Sequence, residues 1–245
     1  MLAISCQNRT FTNIRAIIFD KDGTLENSGD YLRSVAHKRA RLIDAEIPGI
    51  GEPLLMAFGV QGDRLDPAGL QAIGSRKENE IAAAAYIAET GRGWAESLDI
   101  ARRAFEEADR VMATTPGAMF QGVLETIDAL ATAGFKLGIL SAATNDRVIE
   151  FAKYHRLQGY FQSLLGSDGQ FAKPDPRLFH QACQELGVEP AHTLAIGDGV
   201  WDMVMAKQAG TGGCIGIAWG QSEATLAGAD ITISNLAELQ IDRME

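Results

Sequence analysis

Five short apolar runs rich in branched side chains recur along the chain, at residues 14–19, 135–140, 192–196, 214–218 and 230–233. Such runs are too continuously apolar for strands with one wet face, so they predict strands buried on both faces, as in a parallel sheet. Helical patterns lie between most of them, at 120–133, at 145–157 behind Asn145, and at 176–186. The last carries its own punctuation: Asp175 and Pro176 suit the N-cap and first helical position, and Gly187 suits the stop. This alternation predicts an α/β fold, a doubly wound and mainly parallel sheet in a Rossmann-like core.

The alternation breaks once. Between Leu25 and Thr115 no strand is expected, only helical patterns at 30–47 and 76–89, and a third on which Leu98, Ala101, Phe105, Ala108 and Met112 share a face. Gly49, Gly51, Pro53 and the stretch 59–74 read as interruptions. The organisation expected is therefore a catalytic core made of residues 1–26 and 116–245, with a helical insert at 27–115.

Three of these strand ends carry chemistry. Asp20-Lys21-Asp22-Gly23-Thr24 follows the first run, Ser141 the second, and Asp198 and Asp202 the third. Ligands of open parallel sheets bind at the carboxyl ends of strands, so these clusters are expected to converge, with Lys173 nearby. Three uncompensated carboxylates repel one another and call for a hard divalent cation such as Mg²⁺, which takes oxygen ligands. Asp20 is then a competent nucleophile toward phosphorus, and Asp22 an acid and base for the leaving oxygen and for water. Ser141 and Lys173 suit the transferring phosphoryl oxygens.

These residues resemble the motifs of the haloacid dehalogenase superfamily. FDKDGTL (19–25) is similar to its first motif, Ser141 to its second, Lys173 to its third and GDGVWD (197–202) to its fourth, in the family's order. The resemblance implies a phosphatase in which Asp20 is nucleophile and metal ligand. Asp22 is acid/base and lends its backbone carbonyl to the metal, Asp198 is the remaining direct ligand, and Asp202 supports the metal from behind. Thr24, Ser141, Ala142 and Lys173 are the substrate-contacting candidates in the core. The insert corresponds to a helical cap of the family's first type, with the phosphoglycolate-phosphatase-like branch closest in layout. Arg76 is the cap's candidate contact to substrate, with Arg64 and Lys77 beside it, and Glu26 and Ser28 are candidate entrance residues. Lys21 stands where many relatives carry an apolar residue.

Other readings are weaker. A calcium loop would need glycine where Leu25 stands and an acid where Tyr31 stands. A dinucleotide fingerprint at 197–202 would put Asp198 against the pyrophosphate and Asp202 at its third glycine. A signalling receiver or an idle binding protein would not need Asp22 beside Asp20. A phosphosugar mutase of the same family is left open by the motifs. The four histidines share no metal-ligand spacing.

A formal net charge of −10 lacks the basic footprint that nucleic acid requires. No apolar run approaches the length of a membrane span, and the first ten residues lack the pattern of a signal peptide. Cys6, Cys183 and Cys214 form no paired motif, which suits a reducing compartment. The expectation is a cytoplasmic enzyme acting on a small phosphorylated metabolite, with no nucleic-acid or membrane partner.

Overall fold

A computed structural model describes residues 2–112, 115–167, 171–220 and 225–243. They form two compact units, Met1–Asn27 with Pro116–Glu245, and Ser28–Thr115.

The chain enters the first unit through β1 (Leu2–Cys6) and β2 (Arg9–Thr12), an antiparallel hairpin, and then β3 (Ala16–Phe19). All four residues of β3 are buried, as a central strand covered on both faces requires.

The second unit is helical. It contains α1 (Gly29–Glu46), α2 (Gly51–Phe58), the two-residue strands β4 (Val60–Gln61) and β5 (Arg64–Leu65), α3 (Leu70–Ile73), α4 (Arg76–Glu89) and α5 (Trp94–Val111). Its core gathers Ile43, Leu54, Phe58, Ile87, Ile100 and Phe105, with Phe58 and Phe105 edge to face at 6.1 Å between centroids. Ser75 closes a capping box at the start of α4: its hydroxyl accepts the Glu78 N–H, and the Glu78 carboxylate accepts the Ser75 N–H. Two expectations fail here. Gly51 and Pro53 open α2 instead of breaking a helix, because proline is tolerated in a first turn, where its missing N–H has no partner to lose. The stretch at 59–74 holds a β4–β5 hairpin, turned at Gly62 (φ +56°), where only helix or irregular chain was expected.

Back in the first unit come α6 (Val123–Ala133), β6 (Lys136–Leu140), α7 (Asn145–Tyr154), β7 (Phe161–Leu165), α8 (Pro176–Leu186), β8 (Thr193–Gly197), α9 (Val200–Ala209), β9 (Gly213–Ile217), β10 (Ile231–Ile233) and β11 (Gln240–Arg243). Six strands make one parallel sheet in the order β10-β9-β8-β3-β6-β7. The central position of β3, between β6 and β8, brings the ends of three chemistry-bearing strands side by side. Helix α8 has the expected ends, an Asp175 side chain accepting the Arg177 N–H and Gly187 in the left-handed region.

Two features were not expected from sequence. The strand β7, at the sheet's edge, carries Gln162 and Ser163 and so lacks an apolar run. A second sheet, β11-β1-β2, pairs the two ends of the described chain antiparallel. It delivers Ile4, Cys6 and Phe11 to the main core. Phe11 lies so close to the start of β9 that a side chain at Gly213 would meet its ring at 2.3 Å. All three cysteines are free and buried. Among the described residues no helix is long and apolar enough to cross a membrane.

Candidate active site

The chain leaves β3 at Phe19 and turns at once. The Lys21 carbonyl accepts the Leu25 and Glu26 N–H groups, each at 2.9 Å, which folds residues 21–26 into a compact loop. Gly23 makes this loop possible in two ways. Its φ of +79° is one that other residues adopt at a cost, and an added Cβ would sit 2.0 Å from an Asp198 carboxylate oxygen. The loop of β3 and the loop after β8 are thus in contact through a glycine.

Around this contact the sheet assembles a buried acidic cluster. One oxygen each from Asp20, Asp198 and Asp202 lies within 4.8 Å of the others. Lys173 reaches into the cluster, its ammonium 2.5 Å from Asp20 Oδ1 and 2.6 Å from Asp202 Oδ1. Asp202 also accepts the Gly199 N–H at 3.0 Å, which fixes it in the first turn of α9. Asp198 accepts the Thr24 hydroxyl at 3.2 Å. Thr24, a candidate substrate contact, therefore supports a carboxylate, and its own carbonyl accepts the Trp219 indole N–H. Trp219 in turn stacks on Phe120, 4.4 Å between centroids.

Three carboxylates sharing one ammonium leave the cluster negative. Burial pushes the Asp20 carboxyl up to about 7, with the neighbouring Asp202 and Asp22 adding to the rise and Lys173 opposing it. Asp198 is likewise held well above the ordinary carboxylate range, by burial first and by Asp20 and Asp202 next. Lys173 is raised despite its burial, because two carboxylates face it. A hard divalent cation would offset both the burial of the carboxylates and the mutual repulsion that adds to their shifts. The donor set, carboxylates of buried Asp20 and Asp202 and half-buried Asp198 with no sulfur or imidazole, suits Mg²⁺.

Asp22 lies at the edge of the cluster with its side chain 18% exposed. Its Oδ1 is 2.6 Å from the Lys21 ammonium, and its Oδ2 accepts the Ser141 hydroxyl at 3.3 Å. Ser141, fully buried at the end of β6, also accepts the Ala143 N–H at 3.1 Å. Ala142 beside it is half-buried. Asn145, expected to cap α7, instead accepts the Gly166 N–H at 2.7 Å and ties the Ser141 loop to the end of β7, while Thr144 occupies the cap position.

The remaining candidates fare differently. Arg76 belongs to the helical unit and is paired with Glu80 at 2.9 Å and Asp109 at 2.8 Å. Arg64 and Lys77 are exposed. Glu26 and Ser28 are corrected as entrance residues, since they are 5% and 1% exposed. Glu26 accepts from the Lys21 ammonium at 2.6 Å and from the Gly117 N–H. The sequence signal for this pairing was present in Lys21 itself, a charge at the mouth of a buried strand that needs an acid within reach.

Comparison with known proteins points to one family. A haloacid dehalogenase-like hydrolase family model matches residues 14–210, which spans all four motifs. The pyrophosphatase PpaX of Bacillus velezensis is 25% identical over 96% of this chain and 95% of its own. A phosphoglycolate phosphatase of Chromobacterium violaceum is 26% identical over 93% of this chain and 95% of its own. In fold, the crystal structure of a "predicted phosphoglycolate phosphatase" from Haemophilus somnus superposes with a TM-score of 0.67 at 20% identity, covering 93% of this chain and 96% of that one. The chain belongs to the haloacid dehalogenase-like hydrolases.

Proposed function

We propose that this hydrolase is a Mg²⁺-dependent phosphatase that cleaves a small phosphate monoester through an aspartyl-phosphate on Asp20. The observation that carries the reading is the convergence of Asp20, Asp198, Asp202 and Lys173 at the ends of adjacent strands. Relatives named as phosphatases and pyrophosphatases over nearly the whole chain support it. In this reading Asp20, Asp198 and the Asp22 carbonyl hold Mg²⁺, which supplies charge neutralisation at the phosphoryl oxygens. Lys173 positions the nucleophile and balances its charge, and Asp202 in turn holds the Lys173 ammonium.

The Asp20 carboxylate forms a bond to phosphorus while the bond from phosphorus to the leaving oxygen breaks, and Asp22 gives its proton to that oxygen. Water then attacks the aspartyl-phosphate, Asp22 takes the water's proton, and the carboxylate and inorganic phosphate are released. The Ser141 hydroxyl and Lys173 ammonium bind phosphoryl oxygens in both steps. By the same reading, the unit Ser28–Thr115 is the family's helical cap and sets the choice of leaving group. A turnover screen with Mg²⁺ tests the proposal, using 2-phosphoglycolate, inorganic pyrophosphate, sugar phosphates and nucleotides. Phosphate release that stops with chelator, returns with Mg²⁺ and is absent in Asp20→Asn is the expected result. Turnover that persists in excess chelator contradicts it.

A further inference from the structure

Lys21 is the residue in the first motif that this reaction leaves without a role, and its surroundings are unusual. It is 5% exposed, although lysines are rarely buried and a buried ammonium is costly unless paired. Its Nζ lies 2.6 Å from Asp22 Oδ1 and 2.6 Å from Glu26 Oε2, and 5.6 Å from the centroid of the Phe151 ring. We propose that Lys21 is a positioning residue, clamping the Asp22 carboxylate in one orientation for its encounter with the leaving oxygen. The proposal rests on Asp22 being the acid and base.

The geometry beyond Lys21 supports a clamp. Glu26 is itself anchored, since its second carboxylate oxygen accepts the Gly117 N–H, and the Gly117 carbonyl meets a His155 ring nitrogen at 2.9 Å. The backbone adds to this: Gly23 donates to the Glu26 carbonyl at 2.9 Å, and Asp22 and Glu26 form a bridge. A line of bonded groups therefore runs from His155, just past the end of α7, through Gly117, Glu26 and Lys21 to one oxygen of Asp22. The other oxygen is turned to Ser141. A carboxylate can rotate about its own Cβ–Cγ bond and present either oxygen. With Oδ1 held by a buried ammonium that is also paired with Glu26, Oδ2 is the one presented on the Ser141 side. Lys21 itself moves no proton.

The test compares kcat/KM for glycerol phosphate, whose alkoxide must be protonated as it leaves, with that for nitrophenyl phosphate, whose anion needs no proton. Both values report events up to formation of the aspartyl-phosphate. Three variants are measured beside the parent: Lys21→Met, Lys21→Met with Glu26→Gln, and Asp22→Asn. The double variant removes the buried carboxylate that Lys21→Met would strand, and the amide oxygen that Glu26→Gln leaves can still accept the Gly117 N–H. If Lys21 positions Asp22, both Lys21 variants lose roughly 10–100 times more on glycerol phosphate than on nitrophenyl phosphate. The double variant does so with a melting temperature near the parent's. Equal losses on the two substrates, with Asp22→Asn still discriminating between them, overturn the positioning role and leave the catalytic reading intact. Equal losses in Asp22→Asn as well remove the acid–base role of Asp22 and the proposal with it.

Discussion

Asp20 is placed where its charge is costly to hold without a cation. Its carboxyl rises from 3.8 to about 7, chiefly through burial. Without metal the folded chain therefore keeps a proton that the unfolded chain releases. That contribution to stability is complete below about pH 4 and is lost as the pH rises through about 7. Melting of chelated protein should occur at lower temperature at about pH 8 than at about pH 5 from this group, and the rise produced by Mg²⁺ should be larger at about pH 8. A Mg²⁺ effect that shrinks with rising pH would contradict the assignment of Asp20 as a ligand. Lys173 gives a second prediction at this scale. Lys173→Met strands two buried carboxylates that its ammonium now pairs. Turnover should fall by about 10²-fold or more, and urea unfolding should show a loss of about 3 kcal/mol near neutral pH that shrinks toward about pH 5. At Gly23, alanine must both adopt a positive φ and displace the Asp198 carboxylate. Gly23→Ala should weaken Mg²⁺ binding in a metal titration more than its melting temperature falls.

Secondary-structure elements divide the chain's stability from its chemistry. The Ser75 capping box lies in the helical unit, and Ser75→Ala should cost about 1 kcal/mol, read by thermal melts and by faster amide exchange in the first turn of α4. The steady-state rate with nitrophenyl phosphate should hold, because that substrate offers the helical unit little to select. Elements with strong local signals were legible in the sequence. The strand β3 is a run of buried branched residues, and α8 carries Asp175, Pro176 and Gly187 as its punctuation. The candidate site was legible for the same reason, since Asp20, Ser141 and Asp198 each follow such a run. What stayed hidden depends on distant partners. The strand β7 lacks a continuous apolar run because Gln162 and Ser163 interrupt it, and its pairing with β6 holds it in the sheet. The pairing of β1 with β11 joins residues more than 200 apart in sequence, as at Leu2 and Arg243, and no local pattern announces it. Glu26 looked like a rim residue until its partners Lys21 and Gly117 were in place.

At the scale of the whole molecule, the sheet β11-β1-β2 packs on the core of the first unit, so packing there should control stability without touching catalysis. Phe11 is 5% exposed in that sheet. Phe11→Ala should cost about 3–5 kcal/mol in urea unfolding while kcat/KM changes little in the folded protein. The central claim, that phosphate is carried on Asp20, is tested most directly in Asp22→Asn mixed rapidly with nitrophenyl phosphate and Mg²⁺. The first step needs no proton for this leaving group, whereas water cannot be activated by the amide. The account predicts a burst of about one nitrophenolate per chain, a slow steady state, and a phosphoryl group that mass spectrometry of the acid-quenched protein places on Asp20. A phosphoryl group found on another residue, or a variant with Asp20→Asn added that still gives the burst, would contradict it.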